Sequence, residues 1–253
     1  MRVVLLQRDI VWGDPAENLK RLEPVLDRNA GADLFVLPEM FTTGFATQAG
    51  AVVERDPSAS LAWMRQKAEA LDAALAGSIA LETEGRLVNR FYFVTPSGEV
   101  TYYDKHHLFT YGGEGERYTA GAERVSLSWR GVRWRLAVCY DLRFPLWLRN
   151  TDGYDALLCV ASWPTPRRAQ WDALLRARAI ENQCYVLGVN RVGADPACQY
   201  NGGTVLLDPQ GRVIDACADG FEDEARGVLD LDALAAYRRS FPVLADADPF
   251  RLG

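Results

Sequence analysis

The chain has 253 residues, 49% hydrophobic and 25% charged, with a formal net charge of −6. A chain of this size buries most of its unfolded surface, so it needs no disulfide or metal staple. Its acidic balance excludes the clustered basic footprint of a nucleic-acid-binding domain.

Residues 3–6 form a short apolar run that reads as a strand, and Asp14-Pro15 opens a helical pattern carrying Leu19, Leu22, Val25 and Leu26. Residues 34–37 repeat the strand signal up to Pro38, and a second helix carries Leu61, Met64, Ala68 and Leu71. This strand–helix alternation marks a layered α/β fold. The middle of the chain turns to hairpins. Residues 78–81, 87–94 and 100–103 read as short strands, the last two joined by Pro96-Ser97-Gly98, and residues 125–129 and 132–138 flank Arg130-Gly131. Helix signals return over 144–150, and residues 154–160 form an apolar strand. Residues 168–182 are an amphipathic helix with Trp171, Leu174, Leu175 and Ile180, and Arg167-Arg168 reads as its solvated start. Strands at 185–189, 204–207 and 213–216 complete the set, the last two joined by Asp208-Pro209-Gln210-Gly211. No linker or repeat divides the chain, so one α/β domain over residues 1–253 is expected, two sheets with helices outside both. No apolar run reaches the ~18 residues of a membrane span. Residues 1–11 lack the pattern of a secretory signal, so a cytoplasmic protein is expected.

Three reactive side chains fall at strand ends: Glu39 after 34–37, Lys105 after 100–103 and Cys139 after 132–138. Loops at the carboxyl ends of strands are where α/β folds gather their chemistry. A carboxylate, an ammonium and a thiol form a hydrolytic set. A free cysteine, with a pKa of roughly 8.5, is mostly protonated at neutrality, and a carboxylate in hydrogen-bond reach can take its proton. A lysine and a backbone N–H supply the fixed positive charge that a tetrahedral oxyanion needs. Each residue also has an ordinary reading: Glu39 as a surface turn, Lys105 as a solvated strand end, Cys139 as a small buried hydrophobe. Cys159, Cys184 and Cys217 fit that last role within apolar strand patterns. The five cysteines show no C-x-x-C spacing and point to free thiols. His106 and His107, adjacent and alone, offer no tetrahedral zinc set, so no metal is expected. A papain-like site would need one of these histidines as base and lacks the local cysteine signature. No Gly-x-Ser-x-Gly elbow marks a serine hydrolase.

The stretches Leu37-Pro38-Glu39-Met40-Phe41, Tyr103-Asp104-Lys105-His106-His107-Leu108-Phe109 and Val138-Cys139-Tyr140-Asp141-Leu142-Arg143-Phe144-Pro145 are similar, in order and spread, to the nitrilase superfamily of carbon–nitrogen hydrolases. Arg176-Ala177-Arg178-Ala179-Ile180-Glu181-Asn182-Gln183 and the Asp208-Pro209-x-Gly211 turn extend the resemblance over essentially the whole chain. It implies a four-layer α-β-β-α sandwich, a homodimer, no cofactor, and a Glu-Lys-Cys triad at Glu39, Lys105 and Cys139. The second glutamate of that family falls at Glu114, counted back from Ala120-Gly121, with Glu116 its competitor in the loop 111–118 loosened by Gly112-Gly113. The implied reaction passes through a thioester on Cys139, with the backbone N–H of Tyr140 helping Lys105 hold the oxyanion. Asp141 and Arg143 are expected to brace the cysteine turn, and His106 and His107 to be structural. The lysine block and Ala161-Ser162-Trp163-Pro164 resemble the ω-amidase branch, which removes the side-chain amide of 2-oxo acids such as 2-oxoglutaramate and 2-oxosuccinamate. Phe45 and Trp163 are candidate walls for such a small-molecule amide, or ordinary core aromatics. The rival readings are another amide specificity, for an N-carbamoyl amino acid or an aliphatic amide, and a non-catalytic relative that kept the fold. Neither nucleic acid nor membrane is an expected partner.

Overall fold

The computed structural model describes residues 1–252. In the strand Arg2–Gln7 every residue after the first is buried. Val3 and Leu5 join one apolar cluster, while Val4 and Leu6 join another. A strand covered on both faces reads as a continuous apolar run, because successive side chains leave on opposite sides and neither side meets water.

The first sheet runs in the order Asp223–Val228, Arg2–Gln7, Leu34–Val36, Ala74–Thr83, Arg86–Val94, Val100–Asp104, with Glu54–Arg55 added beside Ala74–Thr83. Its three central strands are parallel and its outer pairs antiparallel. The second sheet repeats that plan in the order Val213–Ala216, Val205–Leu207, Tyr185–Asn190, Ala156–Ala161, Val132–Val138, Ser126–Trp129. Here the last residues of the three central parallel strands point their chain toward the same end as Cys139.

The facing sheets pack Val3, Leu5, Val36, Phe91 and Phe93 with Trp134, Leu136 and Val138 in one cluster. Outside the first sheet lie the helices Pro15–Arg28 and Ala59–Leu71, which bury Leu22, Val25, Leu26, Met64 and Ala68 with Val4, Leu6, Phe35 and Leu75. The Asp14 carboxylate caps the first helix, accepting from the Glu17 N–H at 3.0 Å, with Pro15 in the opening turn. Outside the second sheet lies Arg168–Asn182. A Cβ on Gly188 would overlap Leu175 and Trp171, so the glycine lets this helix sit directly on the strand beneath it. The result is the four-layer α-β-β-α sandwich.

Three sequence expectations need correction. The strand set does not end at residue 216: Asp223–Val228 pairs antiparallel with Arg2–Gln7 along its whole length, and the helix Leu231–Ser240 follows. Only Ala225 of that strand is fully buried, so it carries no apolar signature; an edge strand is held by its backbone ladder. The ribbon of Val192–Ala194 and Gln199–Asn201 was likewise hidden in a polar, proline-containing stretch. The helix expected over 144–150 shrinks to Pro145–Leu148, because the chain leaves Cys139 through the 3-10 turn Cys139–Arg143 and Arg149 is already extended.

Candidate active site

Strand ends from both sheets deliver the candidate residues. Leu34–Val36 leads through Leu37-Pro38 to Glu39, and the next residue, Met40, takes φ +45° with its N–H donating to the Ser78 hydroxyl at 2.9 Å. Val100–Asp104 leads to Lys105, whose N–H donates to the Asn89 carbonyl at 2.9 Å. Val132–Val138 leads to Cys139, at φ +48°. A side-chain-bearing residue in that left-handed region costs on the order of 1–3 kcal/mol and persists only where its surroundings hold it.

Asp141 supplies much of that hold. Its Oδ2 accepts from the Val138 N–H at 3.0 Å and the Tyr103 hydroxyl at 2.7 Å. Its Oδ1 accepts from the His107 N–H at 2.9 Å, and His107 Nδ1 lies 2.8 Å from the same oxygen. His107 stacks on Phe144 and His106 on Trp147, with ring centroids 3.6 and 3.7 Å apart. Strand, lysine loop and cysteine turn are thereby tied into one unit.

Glu39, Lys105 and Glu114 have no solvent exposure. Lys105 Nζ donates to Glu39 Oε1 at 3.0 Å and to Glu114 Oε2 at 2.8 Å. The Asn89 amide bridges the same two carboxylates, at 2.8 Å to Glu39 and 3.2 Å to Glu114. Backbone donors complete the set: the Ser162 N–H reaches Glu39 Oε2 and the Phe109 N–H reaches Glu114 Oε2, each at 2.7 Å. Of the two glutamates in the loop, Glu114 is the buried one and Glu116 is exposed.

The electrostatics follow from two carboxylates and one ammonium held out of water. Burial pushes the Glu114 carboxyl up; Lys105 opposes the shift and the Glu39 charge adds to it. Burial disfavours the Lys105 ammonium, but Glu114 and Glu39 outweigh it and hold the group well above the ordinary lysine range. Lys105 is therefore a fixed cation. The Cys139 thiol is driven well above its ordinary range, first by burial and then by Glu39, with Lys105 offsetting only part. At rest the sulfur keeps its proton, and attack requires a base that removes it during the reaction.

This has a direct consequence. A free thiol gains reactivity about tenfold per pH unit below its pKa of roughly 8.5, as the thiolate fraction grows. The raised Cys139 thiol lies below its pKa throughout about pH 7 to 8.5, so its alkylation by iodoacetamide is expected to be slower than that of a free thiol and to keep climbing about tenfold per pH unit without levelling off. Peptide mapping of the alkylated residue against time measures this; a rate that levels off within that window would mean a thiol already ionised and would contradict the burial argument.

A cavity of about 130 Å³ opens onto Cys139, with Phe45, Phe109, Tyr140 and Trp163 among its walls. The Phe45 ring centroid is 5.3 Å from Lys105 Nζ. Trp163 is almost wholly buried and its indole N–H donates to the Arg167 carbonyl at 2.7 Å, so it is at once core and wall. Tyr140 is the second residue of the 3-10 turn that Cys139 opens.

Two arginines sit differently from their sequence readings. Arg143 does not brace the cysteine turn: its guanidinium lies 4.9 Å from the Trp163 ring centroid, in the cavity wall. Side chains three residues apart eclipse in a 3-10 helix, so Arg143 follows Tyr140 to the cavity while Asp141 turns into the core. Arg167 is not a solvated helix start: it also lines the cavity, 5.2 Å over the Phe109 ring. The cluster further contains Asn89, which no sequence motif marked, and Ser162, which lay in the Ala161-Ser162-Trp163-Pro164 stretch with no role assigned to it. A fully buried asparagine within the apolar strand Arg86–Val94 was the only available signal.

Residues 2–239 match the family model described as carbon-nitrogen hydrolase. The chain is 48% identical to Omega-amidase YafV of Escherichia coli (strain K12), over 100% of this chain and 98% of that protein. It is 36% identical to the 2-oxoglutaramate amidase of Bacillus subtilis (strain 168), over 95% of each. A CN-hydrolase superfamily protein from Xanthomonas campestris, solved with an arsenic adduct in its active site, superposes with a TM-score of 0.96 at 41% identity, over 100% of this chain and 99% of that one. The amidase from Nesterenkonia sp. AN1, solved in a mutant form with acrylamide added to its active-site cysteine, superposes with a TM-score of 0.84 at 25% identity, over 96% and 98%.

Proposed function

The chain belongs to the carbon–nitrogen hydrolase family, and on that premise we propose that it is a cysteine amidase acting on the ω-amide of small 2-oxo acids, 2-oxoglutaramate and 2-oxosuccinamate, to give the dicarboxylate and ammonia. The observation that carries this reading is the buried Glu39–Lys105–Glu114 cluster beside the cavity onto which Cys139 opens. The full-length similarity to an ω-amidase and to a 2-oxoglutaramate amidase supports the substrate class.

The reaction proceeds in two halves. Glu39 takes the thiol proton as the Cys139 sulfur attacks the amide carbon, and the carbonyl electron pair moves onto oxygen. Lys105 and the Tyr140 N–H stabilise that oxyanion, which is where fixed donors lower an acyl-transfer barrier most. The tetrahedral adduct collapses, Glu39 returns its proton to the departing nitrogen, and ammonia leaves a thioester on Cys139. Glu39 then takes a proton from water, oriented by Glu114, as that water attacks the thioester. The carboxylic acid departs and the sulfur regains its proton. None of these steps calls for a metal or cofactor. A homodimer and a cytoplasmic location belong to the same proposal, supported by the family resemblance. Among the described residues no helix is long and apolar enough to cross a membrane.

Ammonia release from 2-oxoglutaramate, measured beside glutamine, an N-carbamoyl amino acid and butyramide, tests the substrate. The 2-oxo acid amide is expected to show the highest kcat/KM by at least about tenfold, a difference of about 1.4 kcal/mol in transition-state binding. A higher value for another amide would keep the hydrolase and discard this substrate. Silence across the set, with no acyl-enzyme in the intact mass, would return the chain to the non-catalytic reading.

A further inference from the structure

We infer that Asn89 is a positioning residue for the reaction proposed above: its amide anchors Glu39 Oε1 and leaves Oε2 as the oxygen that exchanges protons with Cys139 and with water. The inference rests on Glu39 acting as the base, and names the group that aims it.

Asn89 lies in the strand Arg86–Val94, on the face that period-two alternation shares with Phe91 and Phe93. Those two rings pack against the second sheet, so an apolar side chain would be the ordinary occupant here. Asn89 is instead fully buried, opposite Ala80 of the neighbouring strand. Its Oδ1 has no hydrogen-bond partner among the described residues. A buried polar atom left unbonded costs stability, so an amide with one end idle is a poor core residue. The other end accounts for it. Nδ2 donates to Glu39 Oε1 at 2.8 Å and to Glu114 Oε1 at 3.2 Å. Ionised carboxylates only accept, so the edge facing them is the NH2 edge.

A carboxylate offers roughly four acceptor positions, two on each oxygen. On Glu39 Oε1, Lys105 Nζ at 3.0 Å and Asn89 Nδ2 fill both. On Oε2 the Ser162 N–H at 2.7 Å fills one, and the other stays open. That open position lies at the second sheet. Ser162 follows the strand Ala156–Ala161, which pairs in parallel with Val132–Val138, and Cys139 follows the latter. Oε2 is thus held at the strand ends from which the sulfur emerges.

Lys105 by itself would not fix this orientation. An ammonium acts as a point charge with rotatable donors, and a single such contact sets a distance while leaving the carboxylate free to turn about it. Asn89 and Lys105 each reach both carboxylates, Glu114 taking the ammonium on Oε2 and the amide on Oε1. Two anchors fix the plane of each carboxylate and the spacing between them. Strand register supplies the pair: the Lys105 N–H donates to the Asn89 carbonyl at 2.9 Å, so ammonium and amide leave neighbouring backbones.

Asn89→Leu keeps the volume and removes both donors. Its kcat on 2-oxoglutaramate, or on the amide of the set above that wild type turns over fastest, is expected to fall about 100-fold, the cost of a catalytic group misplaced by about 1 Å. KM, and the affinity for the carboxylic acid product by calorimetric titration, should stay within about threefold, because Asn89 is not among the residues that line the cavity. Asn89→Ser, whose single hydroxyl proton serves at most one carboxylate, is expected to lose about tenfold in kcat. A folded variant that keeps kcat within about threefold of wild type, or loses kcat and product affinity in equal measure, overturns the assignment. If Asn89→Leu does not fold, Asn89→Ser decides by the same readings. Should wild type hydrolyse none of the amides, the proposed function fails by itself, and crystals of wild type and Asn89→Ser decide the role of the amide. Glu39 Oε2 turned away from the Ser162 N–H in the variant supports it; Oε2 still on that N–H overturns it.

Discussion

Cys139→Ala is expected to lower kcat for ammonia release by at least about 10⁴-fold, with the fold and the affinity for substrate retained. Removing the nucleophile of a comparable acyl-transfer enzyme, subtilisin, costs about 10⁶-fold in kcat, and what survives comes from the oxyanion site and binding. Here the loss should leave the buried Glu39–Lys105–Glu114 cluster intact, since none of its hydrogen bonds runs through the sulfur. Intact mass during turnover should show an acyl adduct on wild type and none on the variant. Retention of more than about one part in a hundred of wild-type kcat would place the nucleophile elsewhere. Cys198, a half-buried thiol in the same cavity wall, would be the next residue to replace. Cys159 and Cys184 are fully buried, and burial pushes the Cys184 thiol up to about 12, so neither is a candidate.

Lys105→Met is expected to remove activity and stability together. Loss of one preorganised oxyanion donor costs about 10²- to 10³-fold in kcat. The stability loss has a separate origin. Without the ammonium, Glu39 and Glu114 remain fully buried with no counter-charge, and breaking a buried ion pair by deleting one partner costs about 3–5 kcal/mol. The pH dependence distinguishes this cause from simple loss of packing. Burial already raises the Glu114 carboxyl against the opposing Lys105 charge, so in the variant it titrates higher still in the folded chain than in the unfolded one, and the folded state favours its protonated form. Stability is then highest below the unfolded carboxyl pKa of roughly 4 and falls as pH rises through the raised folded value. Denaturant melts should show the deficit against wild type shrinking as pH is lowered from about 7 toward 5. A deficit independent of pH would mean that Lys105 acts as a packed side chain. Adding Glu114→Gln should return part of the stability and none of the activity.

Some of the molecule was legible before any coordinate. The helix Arg168–Asn182 coincides with its periodic pattern, and Asp14 caps the first helix from the position its side chain predicts, because both signals are local and repeat within the element that carries them. Glu39 and Cys139 could be placed at strand ends for the same reason, since a buried strand announces itself as an apolar run and its terminus follows, while Lys105 follows a half-buried edge strand marked by its β-forming Val100, Thr101, Tyr102 and Tyr103. The alternatives that sequence left open turned on burial. Glu114 and Glu116 lie two residues apart in one glycine-loosened loop, and only the fold shows that the first is enclosed and the second faces water.

What tertiary structure alone decided is which ends meet. Glu39 and Lys105 leave the first sheet, Cys139 and Ser162 leave the second, and they converge because the two sheets pack face to face. Asn89 acquired its place from antiparallel pairing beside the strand that precedes Lys105, a register no periodicity reports. The edge strand Asp223–Val228 is held by backbone bonds to Arg2–Gln7, which its charged side chains do not advertise. Arg143 is the sharpest case. Its helical neighbourhood was evident, yet a 3-10 rather than an α turn rotates its side chain from the core into the cavity. Sequence patterns record the face a residue shows within its own element; the partner across that face is set by long-range contacts between elements far apart in the chain.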